Sequence, residues 1–346
     1  MIKKIFNKKK IIIGIETSFD DTSASVIKGN KVLSNIIKVQ KIHNKYNGVI
    51  PNIASNMHLK NIYKVVNKAI KNSKIKNKKL INGIAFTCGP GLINSLIIGE
   101  NFAKSMALSL NIPLFGVNHI QAHILSIFLY KKNNKYPKFP YICLSISGGH
   151  TKLFIVKDFF KIKIKGKTLD DSLGDLIDKI SNKLGFNYCN GAEKLNKYCK
   201  NGRKKYKFPI PKVKKYNFSF SGLKTYLFNF INNKKKEYIK KNINNISKSL
   251  HYTIYKILIE KIEKLIKKTK IRTLLICGGV SCNTYIRKKI KKYSKENKIK
   301  LFYLKNKKYI RDNGAMIALV GYLKDYYKIY DDFNIKSNSK LKIDNY

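Results

Sequence analysis

The chain has 346 residues, 44% of them hydrophobic, which is enough for two domains with proper cores and excludes global disorder. Its formal charge of +53 rests on 72 basic residues, of which only Arg203, Arg272, Arg287 and Arg311 are arginine. The surplus lysine is spread along the whole chain beside Ile and Asn, a pattern of AT-rich coding, so the charge speaks for polyanion contact in general and not for a fold.

No apolar run reaches the ~18 residues needed to span a bilayer, and 1–10 carries charges without a signal-peptide core, so a cytoplasmic protein with no membrane partner is expected. The six cysteines, Cys88, Cys143, Cys189, Cys199, Cys277 and Cys282, form no Cys-x-x-Cys pair and are expected as reduced thiols.

The run Ile11-Ile12-Ile13-Gly14-Ile15-Glu16-Thr17-Ser18 reads as a buried strand, followed by the acidic turn Phe19-Asp20-Asp21-Thr22 and strands over 23–27 and 31–38. Strand, acidic hydroxyl-rich turn, strand presents phosphate and metal in some folds and is an ordinary hairpin in many others. A helix over 51–73 starts from Pro51 and carries His58, with His43 upstream. A strand over 80–86 breaks at Gly89-Pro90-Gly91 before a helix over 92–110, a junction with anion-ready geometry or a purely structural turn. Next come a strand over 113–117 and a helix opening on His119-Ile120-Gln121-Ala122-His123.

Two imidazoles four residues apart stack on one helical face, where they can share a metal ion. A transition metal needs a third protein ligand, so the pair alone is not a site.

The polar stretch 131–138 marks a domain boundary. The second half then repeats the opening: a strand over 141–147, the turn Gly148-Gly149-His150, and a strand over 151–156. Asp170-Asp171-Ser172 precedes a helix over 173–184 that bears Asp175 and Asp178, closed by a loop over 187–191. A basic loop follows over 203–215, and then Phe218-Ser219-Phe220-Ser221-Gly222-Leu223-Lys224-Thr225, read either as a capped helix start with core phenylalanines or as a polar functional surface. A long helix spans 238–268 and a strand 272–277. Gly278-Gly279 and Asn283 then lead into a helix to residue 292, with room for a purine or ribose. After a strand over 299–304, Arg311-Asp312-Asn313-Gly314 opens a small-residue helix, and Asp312 is the carboxylate that the His pair lacked.

In this order, Gly14-Ile15-Glu16-Thr17-Ser18, Gly89-Pro90-Gly91-Leu92, Asn118-His119 with His123, Ser147-Gly148-Gly149-His150-Thr151, 218–225, Gly278-Gly279-Val280 with Asn283, and Asp312-Asn313 resemble the universal tRNA threonylcarbamoyladenosine transferase family, formerly O-sialoglycoprotein endopeptidases, in its bacterial or organellar form. The resemblance runs from about Ile11 to Tyr322. It implies an α/β protein of the actin-like ATPase, sugar kinase and Hsp70 superfamily, two similar lobes with the ligand cleft between them. The first lobe would cover 9–130 and the second 139–312, with a helix over 313–330 packing back on the first and 331–346 as a tail.

The implied activity is transfer of the threonylcarbamoyl group from its adenylate to N6 of the adenosine beside the anticodon, in tRNAs that read ANN codons. The implied metal, one divalent ion, iron with zinc as the alternative, would sit on His119, His123 and Asp312. Adenylate contacts would come from Ser145, Ile146, Ser147, Gly148 and Gly149, with Asp178, Gly191 and Asn283. Partners would be tRNA, a paralogous actin-like subunit and a small ATPase, in the cytoplasm or in an organelle's stroma or matrix.

An acyl adenylate is already activated, so positioning and electrostatics suffice and no covalent nucleophile is needed. Glu16, Asp20 and His150 are the candidates for the group that takes the N6 proton. Against the family pattern, an acid is shortened at Asp21, Asn52 and Asn56 replace a Glu and an Arg, and Cys189-Asn190 replaces Pro-Gly beside Gly191. Those replacements bear on tRNA and partner contacts.

Three rivals remain. A zinc peptidase of this spacing carries Glu beside its first His, where this chain has Ile120 and Gln121. A kinase or ATPase of the same fold holds Mg²⁺ with carboxylates. A non-catalytic scaffold would shed the metal ligands.

Overall fold

The computed structural model describes residues 2–7, 9–46, 48–129, 135–186, 190–343. In chain order the elements are α1 (Ile2–Ile5), β1 (Ile11–Glu16), β2 (Asp21–Lys28), β3 (Lys31–Val39), α2 (Pro51–Asn72), β4 (Ile81–Gly89), α3 (Ile93–Leu110), β5 (Leu114–Asn118) and α4 (His119–Leu125). There follow β6 (Tyr141–Ile146), β7 (Thr151–Val156), β8 (Ile162–Lys167), α5 (Leu173–Lys183), α6 (Gly191–Asn201), α7 (Ser221–Asn232) and α8 (Lys236–Thr269). The last are β9 (Thr273–Cys277), α9 (Thr284–Glu296), β10 (Lys300–Tyr303) and α10 (Gly314–Tyr326).

The chain divides into two compact units, one of Met1–Tyr136 with Leu304–Tyr346 and one of Pro137–Tyr303. Asp312 therefore belongs to the same unit as the His pair. Each unit holds a five-stranded sheet of one topology, β3-β2-β1-β4-β5 in the first and β10-β9-β6-β7-β8 in the second. Three strands form an antiparallel meander, and the first of them pairs in parallel with a later strand, β1 with β4 and β6 with β9.

Period-two alternation sorts the first sheet. Ile11, Ile13 and Ile15 share a core with Ile62, Val65 and Val66 of α2 and Ala103 and Ala107 of α3. Gly14 turns the other way, under α10, where a Cβ would run into the Gly314 carbonyl and the Ala318 nitrogen. Apolar surface on both faces is why β1 reads as a nearly unbroken Ile run. Ser23 Oγ accepts a hydrogen bond from Gly314 N (2.9 Å), which fixes the start of α10 on β2.

In the second unit Ile142, Leu144 and Ile146 of β6 face a core shared with α5, α7 and α8. Cys143 and Cys277 lie on the opposite register of β6 and β9, thiol to thiol at 3.5 Å, and the five described cysteines form no disulfide with one another. Cys189 and the boundary stretch over 131–134 lie outside the described residues.

Where element bounds differ from the expectations, pairing explains it. The strand expected to stop at residue 86 runs to Gly89, because Thr87 and Gly89 pair with Val117 and Asn118 of β5. β8 and α6 have no counterpart in the expectations. Residues 331–343, expected as part of a tail, are strapped to the first unit: Asn338 N donates to the Cys88 carbonyl (2.8 Å) and Ser337 N to Glu100 Oε2 (2.6 Å).

His251 of α8 is buried, and burial pushes it down to about 4, against a hydrogen bond to the Ser247 carbonyl. An unfolded chain protonates this ring near 6.5, so between the two values the unfolded state binds more protons and stability falls as pH falls. The expected loss reaches about 3 kcal/mol. In urea titrations from pH 7 to pH 4, H251L should show a shallower pH slope than the parent; equal slopes would contradict this.

Candidate functional site

In the first sheet β1, β4 and β5 are parallel, so their C-terminal ends lie side by side, the edge where open α/β sheets bind ligands. Glu16 ends β1, Thr87 lies near the end of β4, and Asn118 ends β5 and caps α4, its Oδ1 accepting from Ile120 N (3.0 Å) and Gln121 N (3.2 Å). That cap starts the helix at His119 and sets His123 one turn further, with the two rings 4.7 Å apart and nearly perpendicular. Asp312 arrives just before α10, whose cap Asn313 accepts from Ala315 N and Met316 N.

His123 Nε2 is 2.9 Å from Asp312 Oδ1, and His119 Nε2 is 3.7 Å from the same oxygen. Among the described residues, His119, His123 and Asp312 form a group whose donor atoms all lie within 4.8 Å of one another.

Glu16 completes this arrangement from behind. Its side chain is 0% exposed; Oε1 accepts from Ser18 N (2.6 Å), while Oε2 accepts from Thr87 Oγ1 (2.6 Å) and lies 3.1 Å from His119 Nδ1. A carboxylate there fixes the hydrogen on Nδ1 and leaves the Nε2 lone pair, on the Asp312 side, free to ligate an ion, the usual support of a metal-bound imidazole. The electrostatics agree: burial alone would lower His119, but Glu16 and then Asp312 push it up to about 9. Burial would raise Glu16, yet the His119 ring holds its carboxyl below the usual range. The pocket stabilises positive charge, and two imidazoles with a carboxylate suit a divalent transition metal. The residues present fit the implied ion.

The turn between β1 and β2 carries the other acids. Asp20 is raised by burial first and the Asp312 charge second, and Asp21 is pushed up to about 8 by burial and then Asp20. The Gly89-Pro90-Gly91 junction, expected as anion-ready, spends its amides on the protein: Gly91 N donates to the Ser339 carbonyl and Leu92 N to the Ser18 carbonyl.

The second unit sets Ser145 to His150, with Gly278 and Asn283, at the C-terminal ends of β6 and β9, and carries Asp178 and Gly191 on the helices beyond. Ser145 and Ile146 end β6, and Ser147, Gly148, Gly149 and His150 form a tight turn in which Ser147 N donates to the His150 carbonyl (2.9 Å). The Gly148 carbonyl accepts from Ser172 Oγ, the cap of α5, so the turn sits on that helix's N-terminus. Gly278, at φ +84°, passes so close to β6 that a Cβ would meet the Ile146 carbonyl. Asn283 caps α9 with Oδ1, accepting from Ile286 N (3.1 Å), so one of its two expected ligand atoms is engaged. Asp178 lies on α5, pushed up to about 6 by burial and then Asp175; Gly191 opens α6 and packs on Ser181 of α5.

The 218–225 motif serves the fold. Phe218 and Phe220 are core residues, and the α7 cap comes from afar, Asp170 accepting from Phe220 N, Ser219 Oγ and Ser221 Oγ. Sequence reasoning read Glu16 as a possible proton acceptor and gave Ser18 and Thr87 no role; an acid ending a strand beside Thr and Ser carries no mark of the ring it supports.

Two repeated five-stranded units of one topology define an actin-like ATPase-fold protein. Consistent with this, the chain aligns with T. kodakarensis HypF at a TM-score of 0.61 and 15% identity, over 93% of this chain and 48% of that one. It aligns with (R)-2-hydroxyglutaryl-CoA dehydratase component A of Acidaminococcus fermentans at 0.53 and 12%, over 91% and 98%. The family model for TsaD, tRNA N6-adenosine threonylcarbamoyltransferase, matches residues 31–319. Relatives of that description in Christiangramia forsetii and Riemerella anatipestifer are each 43% identical, over 97% and 92% of this chain and 99% and 93% of theirs. The chain belongs to the tRNA N6-adenosine threonylcarbamoyltransferase family.

Proposed function

We propose that the protein moves a threonylcarbamoyl group from threonylcarbamoyl adenylate to N6 of the adenosine beside the anticodon, in tRNAs reading ANN codons. The observation that carries this is the pocket of His119, His123 and Asp312 with Glu16 behind His119 Nδ1. A kinase of the same fold has no use for that donor set.

In this reading the first unit supplies the metal ligands, with iron the proposed ion. When bound, the ion supplies positive charge to the phosphate and polarises the carbamoyl carbonyl. For the adenylate the reading assigns, within the second unit, the Gly148 and Gly149 amides as anion donors and Ser145, Ile146, Ser147, Asp178, Gly191 and Asn283 as the other contacts. The N6 nitrogen attacks the carbamoyl carbon, the bond from that carbon to the phosphate oxygen breaks, and AMP leaves with the electron pair. Of the three acceptors considered, Glu16 has both oxygens engaged and no exposed surface, which suits orientation of His119. His150 lies in the turn of the second unit, where its backbone closes the loop. Asp20 keeps a partly exposed carboxylate on the turn beside the metal pocket, and we assign it the N6 proton.

E16Q keeps the shape and removes the charge behind His119. Metal affinity should fall about 10- to 100-fold, read by chelator competition; unchanged affinity would contradict the role given to Glu16.

For partners, the reading places a paralogous actin-like subunit on α2, and beyond it a small ATPase. Asn52, Asn56, Leu59 and Tyr63 follow one another on one helical face, and Leu59 and Tyr63 are 66% and 67% exposed. Ile93 and Ile97 of the adjacent α3 are exposed as well. L59K should abolish co-purification with the paralogous subunit and leave the melting temperature unchanged. No helix among the described residues is long and apolar enough to cross a membrane, and the reading places the protein in the cytoplasm. Appearance of tRNA-dependent AMP from threonylcarbamoyl adenylate tests the reaction; AMP release that ignores tRNA would overturn it.

A further inference from the structure

Behind the 19–22 turn the first unit buries a polar network that the metal pocket does not use. His58 of α2 is 0% exposed, with Nε2 2.9 Å from the Phe19 carbonyl and Nδ1 2.8 Å from Thr22 Oγ1. A carbonyl can only accept, so Nε2 carries the hydrogen and Nδ1 accepts from the Thr22 hydroxyl. Burial lowers the affinity of this ring for a proton, which favours the neutral form in which Nδ1 accepts.

A second strut runs alongside. Gln40 N donates to the Asp20 carbonyl (3.3 Å), Gln40 Nε2 donates to the Ala54 carbonyl of α2 (3.1 Å), and Gln40 Oε1 accepts from His43 Nε2 (2.9 Å). His43 Nδ1 in turn accepts from Ile50 N (3.4 Å). Phe19, Asp20 and Thr22 are thus all held by groups anchored in α2 or just after β3. Apolar side chains would fill this space without the desolvation cost, whereas a satisfied buried network holds a single geometry. The turn it holds faces outward, with Phe19 43% exposed.

We propose that His58 is a positioning residue for the transfer step, tying the 19–22 turn to α2 and holding Asp20 where it receives the N6 proton. This rests on the assignment of Asp20 made above. Misplacing a reacting group by about 1 Å costs on the order of 100-fold in rate. In H58L, kcat for tRNA modification should fall about 100-fold, with metal content and the KM for threonylcarbamoyl adenylate at parental values. A Gln amide offers one donor and one acceptor, so H58Q should recover to within about tenfold of the parent.

Amide exchange over 20–22 should quicken in H58L, with exchange across β4 and β5 unchanged. If the metal-loaded, folded fraction of H58L turns over at the parental kcat, His58 is merely structural and the proposal fails. If the parent modifies no tRNA, the functional reading falls instead, and exchange alone decides the tie: unchanged rates over 20–22 in H58L overturn it, and faster rates uphold it.

Discussion

Replacing Asp312 with alanine should abolish tRNA modification, a loss of at least about 1000-fold, while the melting temperature stays within a few degrees of the parent. The carboxylate is the one member of the group with appreciable exposure, 28% of its side chain, so its removal leaves no cavity in a core. It is also the shared neighbour of both Nε2 atoms, and without it two imidazoles on one helix cannot enclose an ion. H119A should lose activity equally but with a stability cost, because Glu16 is buried and keeps only Ser18 N and Thr87 Oγ1 as partners. That cost is about 1–3 kcal/mol. Metal content by elemental analysis and activity should fall together in both variants.

G278V should have the second large effect, with the opposite signature. Gly278 sits at φ +84°, which a β-branched residue adopts only under strain, and its Cβ would run into the Ile146 carbonyl at the base of the 145–149 loop. Either β9 and β6 separate or the loop shifts. Adenylate affinity should drop roughly 10- to 100-fold, the equivalent of about 1–3 kcal/mol of strain, with metal content unchanged. Calorimetry with the adenylate or a non-hydrolysable analogue reads the first, elemental analysis the second; loss of metal in G278V would contradict the separate placing of the two ligand sets.

What could be read from the residues follows from how local the physics is. The Ile run of β1, the i, i+4 spacing of His119 and His123 and the long apolar repeat of α8 are written in neighbouring positions, and the structure bears them out. The repeated strand, turn, strand design of the two halves becomes two sheets of one topology for the same reason. Asp312 was legible only because the His pair demanded a third ligand.

Other features depend on contacts distant in the chain. β8 alternates Ile with Lys in Ile162-Lys163-Ile164-Lys165, a strand signal hidden in a chain where Lys is everywhere. α6 buries only Gly191, Leu195 and Cys199, too thin a stripe to stand out before α8 supplies its surface. The support of His119 by Glu16, 103 residues away, and of the acidic turn by His58 needs the register of β1, β4 and β5 and the docking of α2, which no spacing encodes.

The central claim is threonylcarbamoyl transfer to tRNA at a metal held by His119, His123 and Asp312. It is tested most directly by mass spectrometry of nucleosides from unmodified tRNA incubated with threonylcarbamoyl adenylate, the metal-loaded protein and the proposed partner subunits. The parent should yield threonylcarbamoyladenosine in tRNAs that read ANN codons, and the folded D312A variant none. Absence of the modified nucleoside with the parent, or undiminished yield with D312A, would contradict the account.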